Sequence, residues 1–114
     1  MINIDEFYAK IGEDHEKVKK RLCNEEMIKR FVIKFAKDNT YEELLAALAK
    51  KDVSSAFRAA HTLKGIAANL GFTKLAKVSS DLTEILRGGE LPQKAESLKR
   101  VTEEYEKIKN AIER

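Results

Sequence analysis

The sequence is poor in residues that cross-link or interrupt a chain, with one cysteine, one proline, five glycines and no tryptophan. Because Cys23 is alone, neither an intrachain disulfide nor a cysteine-based zinc site can form, which fits a reducing cytoplasmic setting. No segment approaches the ~18 apolar residues of a membrane span. The N-terminus also lacks the basic and apolar regions of a signal peptide. We therefore expect a cytoplasmic protein without a membrane segment.

Charged residues are plentiful and of both signs, with 22 Lys and Arg against 19 Asp and Glu, for a formal net charge of +3. The two signs alternate along the chain, which is typical of solvated helix faces. The one basic cluster, between residues 17 and 21, has glutamates on both sides, so we expect no nucleic-acid partner. A chain of 114 residues suits one domain, 1–114, and we expect a monomer.

Abundant Ala, Leu, Lys and Glu, with almost no strand signal, predict an all-α fold. Short connections between the segments predict an antiparallel four-helix bundle at about residues 40–114, with additional short N-terminal helices at about 3–38. The predicted caps and breaks are Asn3, Gly12, Asn24, Thr40 with Glu43, Asp52, Gly71, Gly88-Gly89 and Pro92. The predicted apolar faces include Met27, Ile28, Phe31, Val32 and Phe35, then Leu44, Leu45 and Leu48, and in the last helix Ala95, Leu98, Val101, Tyr105, Ile108 and Ile112.

One helical segment, AAHTLKGIAANLG at residues 59–71, departs from the ordinary amphipathic pattern. At about 100° per residue, the centre of its apolar stripe lies roughly 130° away from His61, which therefore points outward. Lys64 and Gly65 follow one turn later. A mid-helix glycine costs about 1 kcal/mol relative to alanine, and an exposed face gives no packing reason for it. We expect another molecule to approach closely there.

The residues around His61 favour one kind of chemistry. An exposed imidazole is a competent nucleophile near neutral pH, and the Lys64 ammonium could hold the oxygens of an anionic group transferred to it. Ser54 and Ala68 lie on the same outer strip and add little bulk, so with Gly65 they form the expected docking surface. These residues predict transfer of a phosphoryl group onto His61.

The stretch AHTLKGIAANLG resembles the signature of histidine-containing phosphotransfer (HPt) domains, in which His-x-x-Lys-Gly is followed by Leu-Gly at the helix end. The resemblance implies that His61 is phosphorylated, that Lys64 assists it and that Gly65 leaves room for the partner. It also implies a phosphorelay carrier of two-component signalling, which accepts and donates a phosphoryl group. The implied partners are response-regulator receiver domains and/or a hybrid sensor kinase. Magnesium belongs to the receiver, so no cofactor or metal is expected on this chain.

A polar residue, often glutamine, commonly lies 22 positions beyond the histidine in that family, where this chain has Thr83. Hairpin geometry around the turn at Gly71 places Leu82 at the level of His61. Its polar neighbours Ser79 and Thr83, and Arg87 one turn further, are then candidates to contact the phosphohistidine. We expect Thr83→Gln to leave folding intact and to alter the phosphohistidine lifetime or the transfer rate.

The main alternative function is a passive helical protein-interaction adaptor whose His61 is never modified. A histidine kinase fits less well, because the glycines form no nucleotide-binding loop and no room remains for an ATP-binding domain. The chain is therefore expected to be a phosphocarrier rather than an enzyme. A zinc site is disfavoured because no H-E-x-x-H helix is present, and His15 is expected at the surface.

Overall fold

The computed structural model describes residues 3–22, 24–91 and 96–113, and its regular structure in these ranges is entirely helical. The predicted all-α fold is confirmed. The helices are α1 (Ile4–Ile11), α2 (His15–Leu22), α3 (Glu25–Lys37), α4 (Thr40–Ala49), α5 (Val53–Asn69), α6 (Thr73–Arg87) and α7 (Glu96–Glu113). The charged segment before Cys23 is thus a helix of its own, α2. The predictions for Cys23, Pro92 and Ala95 fall outside the described residues. Within those ranges, no helix is both long and apolar enough to cross a membrane.

Side-chain caps begin three of the helices as the sequence predicts. Asn3, Asn24 and Asp52 each accept a hydrogen bond from the backbone N–H three residues later, at 3.1, 3.2 and 3.1 Å. The Thr40 prediction is wrong, because Thr40 is the first residue of α4 and is buried. Its backbone N–H donates instead to Asp38 Oδ1 at 2.8 Å. The capping role therefore passes to an aspartate two residues earlier.

The turn that joins α5 to α6 depends on glycine and on a residue far away in sequence. Gly71 has a φ of 75°, and a Cβ there would also collide with the Val18 side chain. The carboxylate of Glu13 then accepts from Thr73 Oγ1 at 2.6 Å and from Lys74 N–H at 3.1 Å. These bonds satisfy donors at the start of α6, which has no side-chain cap of its own. The α1–α2 connection therefore fixes the α5–α6 turn.

Neighbouring helices pack in chain order, with α5 against α4 and α6, and α6 also against α7. The N-terminal helices join the same core, since α1 and α3 both contact α7. Phe72 is fully buried and meets the rings of Phe7 and Phe35 edge-on, with centroids 5.9 and 5.3 Å apart. The turn before α6 is thereby held by aromatic side chains from α1 and α3.

Three predicted members of the apolar faces lie at the surface instead. Met27, Phe31 and Leu45 are exposed, whereas Ile28, Val32, Phe35 and Leu44 are buried as expected. Helical periodicity identified the correct face of each helix but predicted too many buried residues on it, because α3 and α4 bury only a narrow stripe. Of the exposed apolar side chains on α3, Phe31 lies beside Ile66 and Asn69 of α5.

Candidate functional site

Helix α5 carries His61 on the face opposite its buried side chains. Ala56, Ala59, Ala60, Leu63 and Ala67 are all buried, and four of these five are alanines, which let α4 and α6 approach closely. His61 is exposed, so its predicted outward orientation is confirmed. No hydrogen bond or ion pair engages its imidazole from any part of the chain that the structure describes. The ring nitrogens are therefore free to react with a group brought from outside.

The His61 imidazole stacks on Phe57, and Arg87 in turn lies against Phe57. The Phe57 ring lies parallel to that of His61, with centroids 5.9 Å apart and planes at 7°. The guanidinium carbon of Arg87, from the end of α6, lies 5.1 Å from the centroid of the Phe57 ring. Arg87 also pairs with Glu84, its Nε lying 3.1 and 3.2 Å from the two carboxylate oxygens. Arg87 therefore contacts the aromatic ring on which His61 stacks. Phe57 was not among the site residues predicted from the sequence.

Lys64 and Gly65 stand on the next turn of α5. Lys64 is half-buried and makes no ion pair with any residue in the described ranges, so its ammonium is available to an incoming anion. Gly65 is exposed, and a Cβ built there would meet nothing within 4 Å. Helical side chains lean toward the N-terminus, so a larger residue at 65 would extend over His61. The chain itself gives no steric reason for this glycine.

Ser54 and Ala68 are exposed on α5, as the sequence predicts, and each contacts an arginine. Arg58 donates to Ser54 Oγ at 3.4 Å and to Ser55 Oγ at 3.2 Å. The Ala68 carbonyl accepts from Arg21 of α2 at 2.7 Å. Cationic side chains therefore border the exposed strip of α5 at both ends, which favours an anionic partner surface.

Thr83 and Ser79 lie in the interior of the fold, and neither side chain has exposed surface. Thr83 Oγ1 donates to the Ser79 carbonyl at 2.6 Å, so that hydroxyl proton is used within α6. Ser79 Oγ is buried without a hydrogen-bond partner in the described ranges. Both residues are therefore buried polar side chains of α6, and the contact of either with the phosphohistidine stays a prediction. Arg87 is the exposed member of the three.

An apolar surface continues from Gly65 toward α3. Ile66 lines a shallow groove with Phe31 and Asn69, and a second groove beside it with Gly65 and Arg21. Phe31 is 38% exposed although its ring is large. Exposed apolar side chains next to an open glycine are typical of a protein-binding surface. This exposed position of Phe31 was not predicted, because helical spacing alone placed its side chain in the core.

His15, expected at the surface, is only 9% exposed and belongs to a separate cluster. Its Nδ1 lies 2.8 Å from Asp5 Oδ1, and its Nε2 lies 3.3 Å from Glu25 Oε1. These three residues bring together donor atoms that could hold a metal ion. The Lys19 ammonium, however, lies 3.6 Å from the same Glu25 oxygen and already neutralises it. The cluster therefore serves to join α1, α2 and α3.

On this all-helical scaffold, an exposed histidine lies beside an open glycine and a lysine that has no ion pair within the described ranges, so one face presents a nucleophile, a cation and free space. In comparison with known families, the model described as the Hpt domain matches residues 26–111, well over half of the chain. The chain belongs to the Hpt domain family. Its members are phosphocarriers rather than enzymes, act in histidine phosphotransfer and phosphorelay signalling, and typically interact with receiver domains and kinases. No curated protein and no solved structure gave a significant match.

Proposed function

We propose that His61 is the phosphorylated residue, and that it accepts a phosphoryl group from, and returns it to, aspartates of receiver domains or of a hybrid sensor kinase. The observation that carries the proposal is an exposed imidazole with an unpaired ammonium and open surface one turn away. The lone-pair nitrogen of the neutral imidazole attacks phosphorus, the N–P bond forms, and the aspartyl O–P bond breaks as the carboxylate leaves. The other ring nitrogen keeps its proton.

Lys64 is the residue proposed to hold the phosphoryl oxygens during transfer. Its free ammonium can donate charge-assisted hydrogen bonds to them, and these bonds strengthen as charge accumulates in the transition state. Arg87 is near enough to Phe57 to reach the same region if it releases Glu84. Gly65, Ser54 and Ala68 are small, so they do not obstruct a receiver that brings its aspartate to the imidazole.

The partner is proposed to dock across α5 and α3. Ile66 and Phe31 supply apolar area beside Gly65, and Arg58 and Arg21 supply positive charge around it. This combination suits the rim of an acidic phosphorylation site on a receiver, since complementary charge guides two proteins to the right orientation. The chain needs no cofactor for this role, because the catalytic metal belongs to the receiver.

Phosphorylated receiver domains from the same host test the proposal directly. Wild-type protein should acquire phosphate that is labile in acid and stable in base, and His61→Gln should acquire none. His15→Gln is the matched control, because it removes the other histidine, which lies in the buried cluster. Circular dichroism establishes that both variants are folded. Labelling of folded His61→Gln at the wild-type rate would contradict the proposal, and absence of label from every receiver would favour the passive adaptor.

A further inference from the structure

The imidazole of His61 stacks on an aromatic side chain of its own helix, Phe57. Phe57 precedes it by four residues, so the two side chains leave α5 on the same face, one turn apart. Their parallel rings, 5.9 Å between centroids, have the separation of an offset stack. Because helical side chains lean toward the N-terminus, the imidazole lies back over the turn that carries Phe57.

Contacts with the core and with Arg87 restrain the Phe57 side chain. Part of its ring packs against the core, and it is half-buried. The Arg87 guanidinium lies 5.1 Å from its centroid, within the range of a cation–π contact, and the ion pair with Glu84 restrains that guanidinium. A ring with these contacts has little freedom to rotate away. It can therefore restrict the orientation of the imidazole stacked on it.

The two sides of the imidazole along the helix axis therefore differ in how much protein covers them. Phe57 covers the side toward the N-terminus of α5, whereas the side toward Gly65 is open, with nothing near the position of a Cβ. An imidazole that rotated freely would present its reactive nitrogen to the partner only part of the time. A stacked imidazole is oriented before the receiver arrives, which lowers the entropic cost of reaching the reactive geometry.

We infer that Phe57 is a positioning residue for phosphotransfer, which orients the His61 imidazole toward the open surface at Gly65. This inference rests on the proposed function of His61. It assigns Phe57 no contact with the phosphoryl group and no part in bond making. Its effect passes through the orientation of the ring, so the rate of transfer should depend on it, whereas the binding of the receiver should not.

Three variants test the inference. Phe57→Leu removes the aromatic ring but keeps an apolar side chain, Phe57→Tyr keeps the ring, and Ile112→Ala trims another half-buried side chain at the far end of α7. Single-turnover transfer from a phosphorylated receiver gives the maximal rate constant and the receiver concentration at half-maximal rate. NMR relaxation of the His61 ring in unphosphorylated protein reports its order directly.

For Phe57→Leu we expect the maximal rate constant to fall on the order of tenfold, because a misoriented nucleophile is costly, with the half-maximal concentration unchanged. The ring of His61 should become more mobile. Phe57→Tyr should remain within about twofold of wild type in both readouts, and Ile112→Ala should affect neither. A wild-type rate and ring order in folded Phe57→Leu would overturn the inference, as would an equal loss in Ile112→Ala.

Failure of the proposed function would be seen differently. In that case wild-type protein itself would take no label, and the ring mobility of His61 would still show whether Phe57 orients it. If Phe57→Leu does not fold, Phe57→Met provides a flexible apolar side chain of similar volume, and the same expectations apply to it. Loss of ring order without loss of rate in either variant would also overturn the inference.

Discussion

Arg21 donates from one guanidinium nitrogen to the backbone carbonyl of Ala68 at 2.7 Å and to that of Asn69 at 3.0 Å. The last carbonyls of a helix lack the usual donor four residues later. Arg21 supplies a donor to Asn69 and a second donor to Ala68, whose carbonyl also accepts from the Gly71 N–H at 3.2 Å. The positive charge also complements the helix dipole there. The short helix α2 thereby anchors the C-terminal end of the helix that carries His61.

Removing the Arg21 side chain should therefore destabilise the protein. We expect Arg21→Ala to lower the free energy of unfolding by about 1 kcal/mol. This is less than a buried charged hydrogen bond contributes, because the contact is exposed. Lys17→Ala, on the same helix with the same change of charge, is the control and should lower it much less. Urea denaturation measures both variants. Equal losses would show that the contact with α5 contributes nothing specific.

Substitutions at Gly65 should separate stability from transfer. A Cβ meets nothing there, so Gly65→Ala should raise the free energy of unfolding by up to about 1 kcal/mol through better helix propensity. Gly65→Gln should also be at least as stable as wild type, while its side chain extends over His61 and slows transfer severely. Thermal melts and single-turnover transfer assays give the two quantities. Wild-type transfer by Gly65→Gln would refute the clearance argument.

Lys64→Ala should slow transfer without affecting the fold. The lysine has no ion-pair partner in the described part of the chain, so its loss breaks no internal ion pair. Loss of a charge-assisted hydrogen bond in the transition state should reduce the rate on the order of 10- to 100-fold. Lys64→Arg should recover part of the rate, and Lys77→Ala on α6 should leave it unchanged. An undiminished rate in Lys64→Ala would exclude this role.

The sequence was sufficient for the features that depend on residues close together in the chain. Helical spacing and caps predicted the all-α fold, and the wheel of α5 predicted the exposure of His61. Contacts between distant residues could not be predicted in the same way. The cap that Glu13 provides to the Lys74 N–H and the burial of His15 between helices each require the tertiary packing.

The Phe57 contact could have been anticipated in part. Its spacing of four residues from His61 is visible in the sequence, and aromatic pairs at this spacing meet on a helix. The half-burial of Phe57 and its contact with Arg87 could not have been anticipated from the sequence, because both depend on where α6 ends relative to α5. Phe31 shows the opposite error, since a regular apolar period suggested burial that the packing of α3 does not provide.

The Asp52 cap should make stability depend on pH in acid. Hydrogen bonds from the Ser55 side chain and backbone hold the pKa of Asp52 below its usual value, so the ionised form is favoured in the folded state. The contribution is therefore present above the unfolded-state pKa of about 4 and is lost as pH falls through the lower folded-state pKa. Urea denaturation between pH 6 and 2 should show that Asp52→Asn loses less stability than wild type. Parallel curves would contradict this assignment.

Substitutions at Thr83 test whether this buried side chain of α6 affects stability alone or also the phosphohistidine at position 61. Its side chain is fully buried and its hydroxyl donates to the Ser79 carbonyl, so a larger residue should overpack the core. We now expect Thr83→Gln to cost about 1–3 kcal/mol of unfolding free energy, in place of the intact stability that the sequence suggested. Thr83→Val nearly keeps the volume of the side chain and replaces its hydroxyl with a methyl group. Because that hydroxyl is used within α6, Thr83→Val should fold normally and keep the phosphohistidine lifetime within about twofold of wild type. Thermal melts and the decay of acid-labile phosphate measure both effects. A phosphohistidine lifetime in folded Thr83→Val shortened by more than that twofold range would show instead that Thr83 contacts the phosphorylated imidazole.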